Sequence, residues 1–85
     1  MTTLKSAPMN EFYRVYARLL GEAVLADPKR FAYKPEDVDN VARKMTEALA
    51  AKQAIISPTV KVACKELGIK PNVGMISAYL NQKTH

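Results

Sequence analysis

Few side chains in this sequence are of a type that could carry out catalysis. The chain of 85 residues has one cysteine, Cys64, and one histidine, His85. A nucleophile needs a neighbouring base and a metal centre needs several soft or imidazole ligands, so one thiol and one terminal imidazole provide neither. The acids Glu36, Asp37 and Asp39 stand at a predicted helix start, where they stabilise the positive end of the helix dipole. We therefore predict no enzymatic activity, no metal site and no cofactor.

The remaining polar chemistry is mostly basic. The net charge is +5, and residues 53–85 carry four basic residues against one acidic residue. A positive field of this kind raises the rate of encounter with polyanions, whether nucleic acid or an acidic protein. The positive charge alone does not distinguish nucleic acid from an acidic protein as the partner.

Composition also indicates the cellular compartment of the protein. A single cysteine excludes an intrachain disulfide and favours a reducing environment. No apolar run approaches the length of a membrane span, and the first residues lack the order of a signal peptide. We predict a cytoplasmic protein without a membrane partner.

The stretch from Ser57 to Gln82 holds most of the candidate binding residues. Lysines can contact phosphates, whereas asparagine and glutamine can hydrogen-bond the edges of bases, adenine best. The predicted contacts to duplex DNA are Lys61, Lys65, Lys70, Asn72, Ser77, Asn81, Gln82 and Lys83. Under the competing interpretation these are ordinary solvated side chains. The last predicted helix carries no arginine and no internal lysine, which favours that interpretation.

Two small residues in this stretch have the spacing of a known motif. Cys64 and Gly68 stand four residues apart, with apolar anchors at Leu67, Ile69, Ile76 and Leu80. Over about a third of the chain this pattern resembles the helix-turn-helix family, which implies that the second helix of the pair enters the major groove. The chain departs from the family pattern at Gly74, where an anchor is expected.

A shorter motif points to an origin. Residues 63–70 read ACKELGIK, and a later helix ends in Tyr79 and Leu80. This combination is similar to a loosely defined group of short phage-encoded proteins. The resemblance implies a phage or prophage source, and with it a place in the host cytoplasm, but implies little about activity. The leading predicted function, a small basic DNA-binding or regulatory protein, follows from the helix-turn-helix resemblance and the basic charge.

An alternative basic surface lies earlier in the chain. It consists of Arg14 and Arg18 on the first predicted helix and Arg43 and Lys44 on the second. It could follow a phosphate backbone or dock on an acidic host protein. The simpler interpretation is that these charges are solvated and partly paired, with Glu11, Glu22, Asp39 and Glu47 as partners. The second predicted function is accordingly a non-catalytic protein-binding module, such as a phage inhibitor or adaptor of a host protein.

All these residues must be positioned by helices. Apolar residues at three- and four-residue spacing predict an all-α single domain, residues 1–85, with four helices at about 9–26, 35–51, 58–67 and 72–82. We expect them to form two antiparallel pairs, with frayed ends at residues 1–7 and 83–85. Ser57 with Pro58, Gly68 and Asn72 are the predicted helix caps in the second half.

The connections carry the remaining apolar side chains. Phe31 and Tyr33 either cover the helices as a lid or form a contact patch with Lys29 and Arg30. The pair Ile55 and Ile56 is expected to plug one end of the bundle. Because so short a chain has a thin core, a homodimer is possible, with Tyr79, Met75 or the Phe31/Tyr33 loop as its face.

Overall fold

The computed structural model describes residues 7–82, which fold as four α-helices. Helix α1 spans Ala7–Ala26, α2 spans Val38–Ala50, α3 spans Pro58–Leu67 and α4 spans Val73–Leu80. One turn of 3-10 helix at Pro35–Asp37 precedes α2. The predicted all-α fold with four helices is confirmed. The expected fraying of residues 1–6 and 83–85 concerns positions outside the described residues.

Helix α1 supplies the largest part of the core. Phe12, Tyr16, Leu20 and Val24 recur every four residues and are all buried, which is the spacing of one helical face. The rings of Phe12 and Tyr16 stack with centroids 6.2 Å apart. The helix ends at Ala26, as expected from Pro28 two residues later, which disfavours a helical conformation before it.

Helix α2 begins three residues later than predicted. The amide of Asp37 bonds to the carbonyl of Lys34 at 2.9 Å, so the first turn after Pro35 is a 3-10 turn. Val38, Ala42, Thr46 and Leu49 face the core. The buried hydroxyl of Thr46 donates to the carbonyl of Ala42 at 2.8 Å. Val41, Met45 and Ala48 lie beside this face and are only half-buried.

Helix α3 has the predicted caps at both ends. The Ser57 hydroxyl accepts a hydrogen bond from the amide of Val60 at 3.2 Å, and Pro58 follows with its preset φ. Gly68 adopts a left-handed φ of 73°. The amides of Ile69 and Gly68 then return to the carbonyls of Cys64 and Lys65, the Schellman arrangement.

Helix α4 is fixed mainly to the end of α2. Ile76, Ser77 and Leu80 are its buried residues. Asn72 caps its start by accepting a hydrogen bond from the amide of Met75 at 2.8 Å. The Ser77 hydroxyl donates to the carbonyl of Leu49, so a polar side chain joins the two helices inside the core.

The helices do not form two separate pairs. Helix α1 packs against α2 and α3, and α4 packs against α2 and, less extensively, against α1. Direct contact between α3 and α4 is small. The prediction of a second antiparallel pair is wrong in this respect, because α3 packs on α1, whereas α4 packs on α2 and α1.

The two long connections differ in their packing. The rings of Phe31 and Tyr33 are half-buried against the core and lie 5.7 Å apart, which confirms the predicted lid. In the connection after α2, Ile56 is partly buried, but Ile55 is 85 % exposed. The prediction that both isoleucines plug the bundle is therefore wrong for Ile55.

Candidate nucleic-acid interface

The outer face of α3 is basic. Lys61 and Lys65 lie four residues apart on this face and are exposed, so they are neighbours on successive turns. Within residues 7–82, neither lysine forms an ion pair. Glu66 is the only acid of α3, and it binds Arg18 of α1 at 2.5 Å. We call Lys61 and Lys65 the α3 basic face; both charges are available to an external anion.

Further basic groups lie beyond both ends of α3. Arg30 lines a cleft together with Pro58 and Thr59 at the start of the helix. Lys70 is exposed in the turn that leads from α3 to α4. Basic residues that could contact phosphates thus lie near the start of α3, along it and after it.

Helix α4 does not present the predicted row of base-contacting groups. Ser77 has 0 % exposure, so the prediction that it points outward to hydrogen-bond bases is wrong. Asn81 is exposed, but its Nδ2 donates to the carbonyl of Ala50 at 2.8 Å. The Oδ1 of Asn72 is occupied by its capping bond.

Two predicted contacts of this region remain. Gln82 is exposed, and its side chain has no hydrogen-bond partner within the described part of the chain. Lys83 lies outside the described residues. The amides that were predicted to read DNA are thus largely used to cap α4 and to attach it to α2.

The solvent-facing side of α4 is uncharged. Gly74, Met75 and Ala78 are exposed there, and Met75 is 47 % exposed. The sequence of α4, VGMISAYL, contains no ionisable side chain except the phenol of Tyr79. That phenol donates to the carboxylate of Glu11 on α1. Burial, and then the bond to Glu11, raise the pKa of Tyr79 to about 12, so the phenol stays protonated and keeps donating.

The alternative basic surface is divided by ion pairs. Arg18 binds Glu22 at 3.5 Å and Glu66 at 2.5 Å, and Arg43 binds Asp39 at 3.0 Å. The predicted pairing of these arginines with Glu22 and Asp39 is confirmed. Arg14 borders a hollow on α1 and Lys44 borders a groove on α2. The two ion-paired arginines are thus less available to an external anion than Lys61 and Lys65 are.

A cleft lies between the aromatic lid and the start of α3. Its volume is about 500 Å³, and Tyr16, Phe31, Tyr33 and Met45 make much of its wall apolar. Arg30 and Asp27 border it with opposite charges. Burial raises the pKa of Tyr33, and burial followed by the proximity of Tyr33 raises the pKa of Tyr16. Both phenols therefore stay neutral, and the cleft wall offers no catalytic base from these two rings.

The thiol and the possible metal ligands are the remaining reactive side chains of the described residues. Cys64 is buried, and burial raises the pKa of its thiol, which disfavours the reactive thiolate. Within residues 7–82, no three side chains of a metal-ligating type are grouped. Over the same range, none of the helices combines the length and the apolar character that crossing a bilayer requires.

Comparison of this chain with protein-family models, with curated proteins and with solved structures found no match. The resemblances to helix-turn-helix proteins and to phage-encoded proteins therefore stay predictions from short motifs. The argument for a function rests on the geometry of α3 and α4.

Proposed function

We propose that this chain is a small non-catalytic domain that binds duplex DNA through the phosphate backbone, with the α3 basic face as the contact. The observation that supports this proposal is that Lys61 and Lys65 are exposed on one face without an ion pair in residues 7–82. Ammonium groups that neutralise phosphates release condensed counterions, which provides sequence-independent affinity.

This form of binding differs from base reading by a recognition helix. Discrimination between base pairs comes mainly from paired hydrogen bonds to base edges, with arginine on guanine as the commonest contact. Helix α4 has no arginine, and Ser77 is buried. We therefore expect the domain to coat or position itself on duplex DNA with little sequence preference. A regulatory role is an extension of this proposal, and the ACKELGIK resemblance supports only a phage or prophage source for the chain.

The test is a titration of a fluorescently labelled duplex of about 20 base pairs, followed by anisotropy at low salt. Lys65→Glu is compared with Arg14→Glu, which changes the net charge of the chain by the same amount at an exposed position on α1. We expect Lys65→Glu to weaken binding at least about tenfold and Arg14→Glu to weaken it much less. The proposal is contradicted if the two variants lose the same amount of affinity for the duplex, or if the unaltered chain does not bind it.

A second candidate function is supported by a different observation. The solvent-facing side of α4 offers small residues at Gly74 and Ala78 beside the flexible apolar side chain of Met75. Methionine is enriched at protein interfaces and charged residues are depleted at their centres, so this face suits an adaptor that docks on a host protein. Basic residues nearby favour an acidic host protein as the partner.

The second candidate is tested with the purified host protein that co-purifies with the tagged chain. Met75→Glu places a charge at the centre of the α4 face, and Leu25→Glu places the same charge at a comparably exposed apolar site on α1. Loss of binding for Met75→Glu with retention for Leu25→Glu is the expected result. The reverse pattern, or no effect of either variant, removes α4 as the docking face.

A further inference from the structure

An apolar groove runs along the outer side of α2. It has a volume of about 480 Å³ and lies between the helix and the connection that follows it. Its walls are Val41, Met45 and Ala48 on the helix side and Gln53, Ala54 and Ile55 on the other. Lys44 is the only charged residue among those that line it. Ile55 stands beside this recess with 85 % of its surface exposed.

The exposure of Ile55 is fixed by the backbone rather than by a loose loop. Lys52 adopts a left-handed φ of 60°, and the amide of Gln53 returns to the carbonyl of Ala48 at 2.8 Å. This hydrogen-bonded turn directs the chain back along α2 and leaves Ile55 outward. An apolar projection beside an apolar recess is the kind of patch that marks an interaction site.

We propose that this groove binds a second copy of the chain, with the two α2 helices antiparallel about a twofold axis between Lys44 and Met45. The residues along the outer side of α2 are placed symmetrically about that point. Val41 lies three residues before Lys44 and Ala48 three residues after Met45. In the antiparallel pair Val41 of each copy therefore packs beside Ala48 of the other, and the contact is isologous.

The charged residues that flank α2 in the sequence follow the same symmetry. Asp37 lies four residues before Val41, and Lys52 lies four residues after Ala48. Both are exposed, and neither has an ion-pair partner among residues 7–82. Antiparallel pairing places Asp37 of each copy beside Lys52 of the other, whereas parallel pairing would place like charges together. Complementary charge at the ends of α2 thus favours the antiparallel direction. Lys44 lies beside the axis and faces its own copy in either direction, with its ammonium group extended to solvent.

This proposal does not depend on DNA binding. The α3 basic face and the α2 groove share no residue, so either can be wrong without the other. The occupant is a second copy for two reasons. The groove contains both an apolar projection and an apolar recess, and the opposite charges that flank α2 at Asp37 and Lys52 complement each other in an antiparallel pair. Association through another face is an outcome of the test.

The first experiment measures self-association by sedimentation equilibrium at protein concentrations from about 10 µM to about 1 mM, a range that covers weak dimers. Ile55→Ser removes the apolar projection, and Leu25→Ser is the matched control on α1, where the side chain is 70 % exposed. Both positions are exposed, so both variants keep the fold. We expect a concentration-dependent dimer whose dissociation constant rises at least about tenfold in Ile55→Ser and does not change in Leu25→Ser.

The second experiment tests the direction of pairing with exchanged charges. Asp37→Lys and Lys52→Asp each place two pairs of like charges in the homodimer, so each variant alone should dimerise more weakly. A mixture of the two variants restores both opposite-charge pairs in the heterodimer. Asp37 makes no capping hydrogen bond through its side chain, so its replacement removes no helix cap.

We expect the mixture to form heterodimers at concentrations at which each variant alone is monomeric. A wild-type chain that stays monomeric at about 1 mM overturns the proposal. So does a dimer that is insensitive to Ile55→Ser, because it uses another face. Failure of the mixture to associate more strongly than its components overturns the antiparallel arrangement.

Discussion

Ser77 and Leu49 are joined by a hydrogen bond between two helices, in which the serine hydroxyl donates to the leucine carbonyl. One turn further along α4, Asn81 donates from Nδ2 to the adjacent carbonyl of Ala50. The last carbonyls of a helix have no partner within that helix. Helix α4 therefore caps the end of α2. Ser77 and Asn81, which the sequence suggests are surface residues, hold the two helices together.

Ser77→Ala should lower the free energy of unfolding. The carbonyl of Leu49 also accepts from the amide of Lys52 at 3.0 Å, so it is not left without a partner. We expect a loss of about 1 kcal/mol, the usual net value of one buried hydrogen bond. Urea denaturation measures it, with Ala78→Ser on the exposed side of α4 as the control. An unchanged denaturation midpoint for Ser77→Ala contradicts the assigned role of this bond.

The left-handed residues at the ends of α2 and α3 give a pair of opposite predictions. Lys52 has φ of 60° and Gly68 has φ of 73°. Only glycine adopts this conformation without a steric cost of about 1 kcal/mol or more. Lys52→Gly should therefore raise the free energy of unfolding by about 1 kcal/mol.

Gly68→Ala should instead lower the free energy of unfolding by a similar amount, about 1 kcal/mol. A Cβ built at Gly68 meets no atom within 4 Å, so the expected loss comes from backbone strain alone. Thermal unfolding of both variants beside the unaltered chain provides the measurement. If the midpoint temperature of unfolding changes in the same direction in both variants, the ends of α2 and α3 do not have the left-handed conformations described.

Alkaline pH should weaken the contact between α4 and α1. The pKa of Tyr79 is raised to about 12 from the ordinary value of 10.0. A phenol with a raised folded-state pKa contributes stability that is complete below pH 10 and is lost as the pH rises through about 12. Tyr79→Phe should cost about 1 kcal/mol at neutral pH, because solvent screens part of the bond to Glu11.

In Tyr79→Phe the free energy of unfolding should also decrease less as the pH rises into the alkaline range. Measurements of unfolding between pH 8 and pH 12 compare Tyr79→Phe with the unaltered chain, the interval being set by the two pKa values. If the free energy of unfolding changes with pH in the same way for both proteins over this interval, ionisation of the Tyr79 phenol does not affect stability.

Cys64 should be slow to react in the folded protein. Its side chain is fully buried and the pKa of its thiol is raised by burial, so the thiolate fraction is low. Alkylation by iodoacetamide should therefore require unfolding and accelerate sharply in urea. Rapid alkylation of the native chain, at the rate of a free thiol, contradicts the packing of α3.

Local signals in the sequence predict most of the fold. The four-residue recurrence from Phe12 to Val24 gives α1, and the caps at Ser57, Gly68 and Asn72 all form as expected. These features depend on neighbouring residues only, so helical spacing and capping chemistry are sufficient to find them.

The features that sequence reasoning missed depend on distant contacts. The acceptor for Ser77 lies 28 residues away, and a serine in a helix is ordinarily solvated. A signal was nevertheless present, since Ser77 falls four residues after Val73 and three before Leu80, on the inner side of α4. No residue type marks the left-handed turn at Lys52, so the exposure of Ile55 could not be foreseen.

The central claim, that lysines of α3 contact phosphates, is tested most directly by the salt dependence of duplex binding. The logarithm of the association constant should fall with the logarithm of salt concentration with a slope of about −3, for three or four phosphate contacts. In the double variant Lys61→Gln and Lys65→Gln the slope should decrease in magnitude by about 2, while Arg14→Gln should leave it unchanged. A slope that is the same in the double variant and the unaltered chain would contradict the claim.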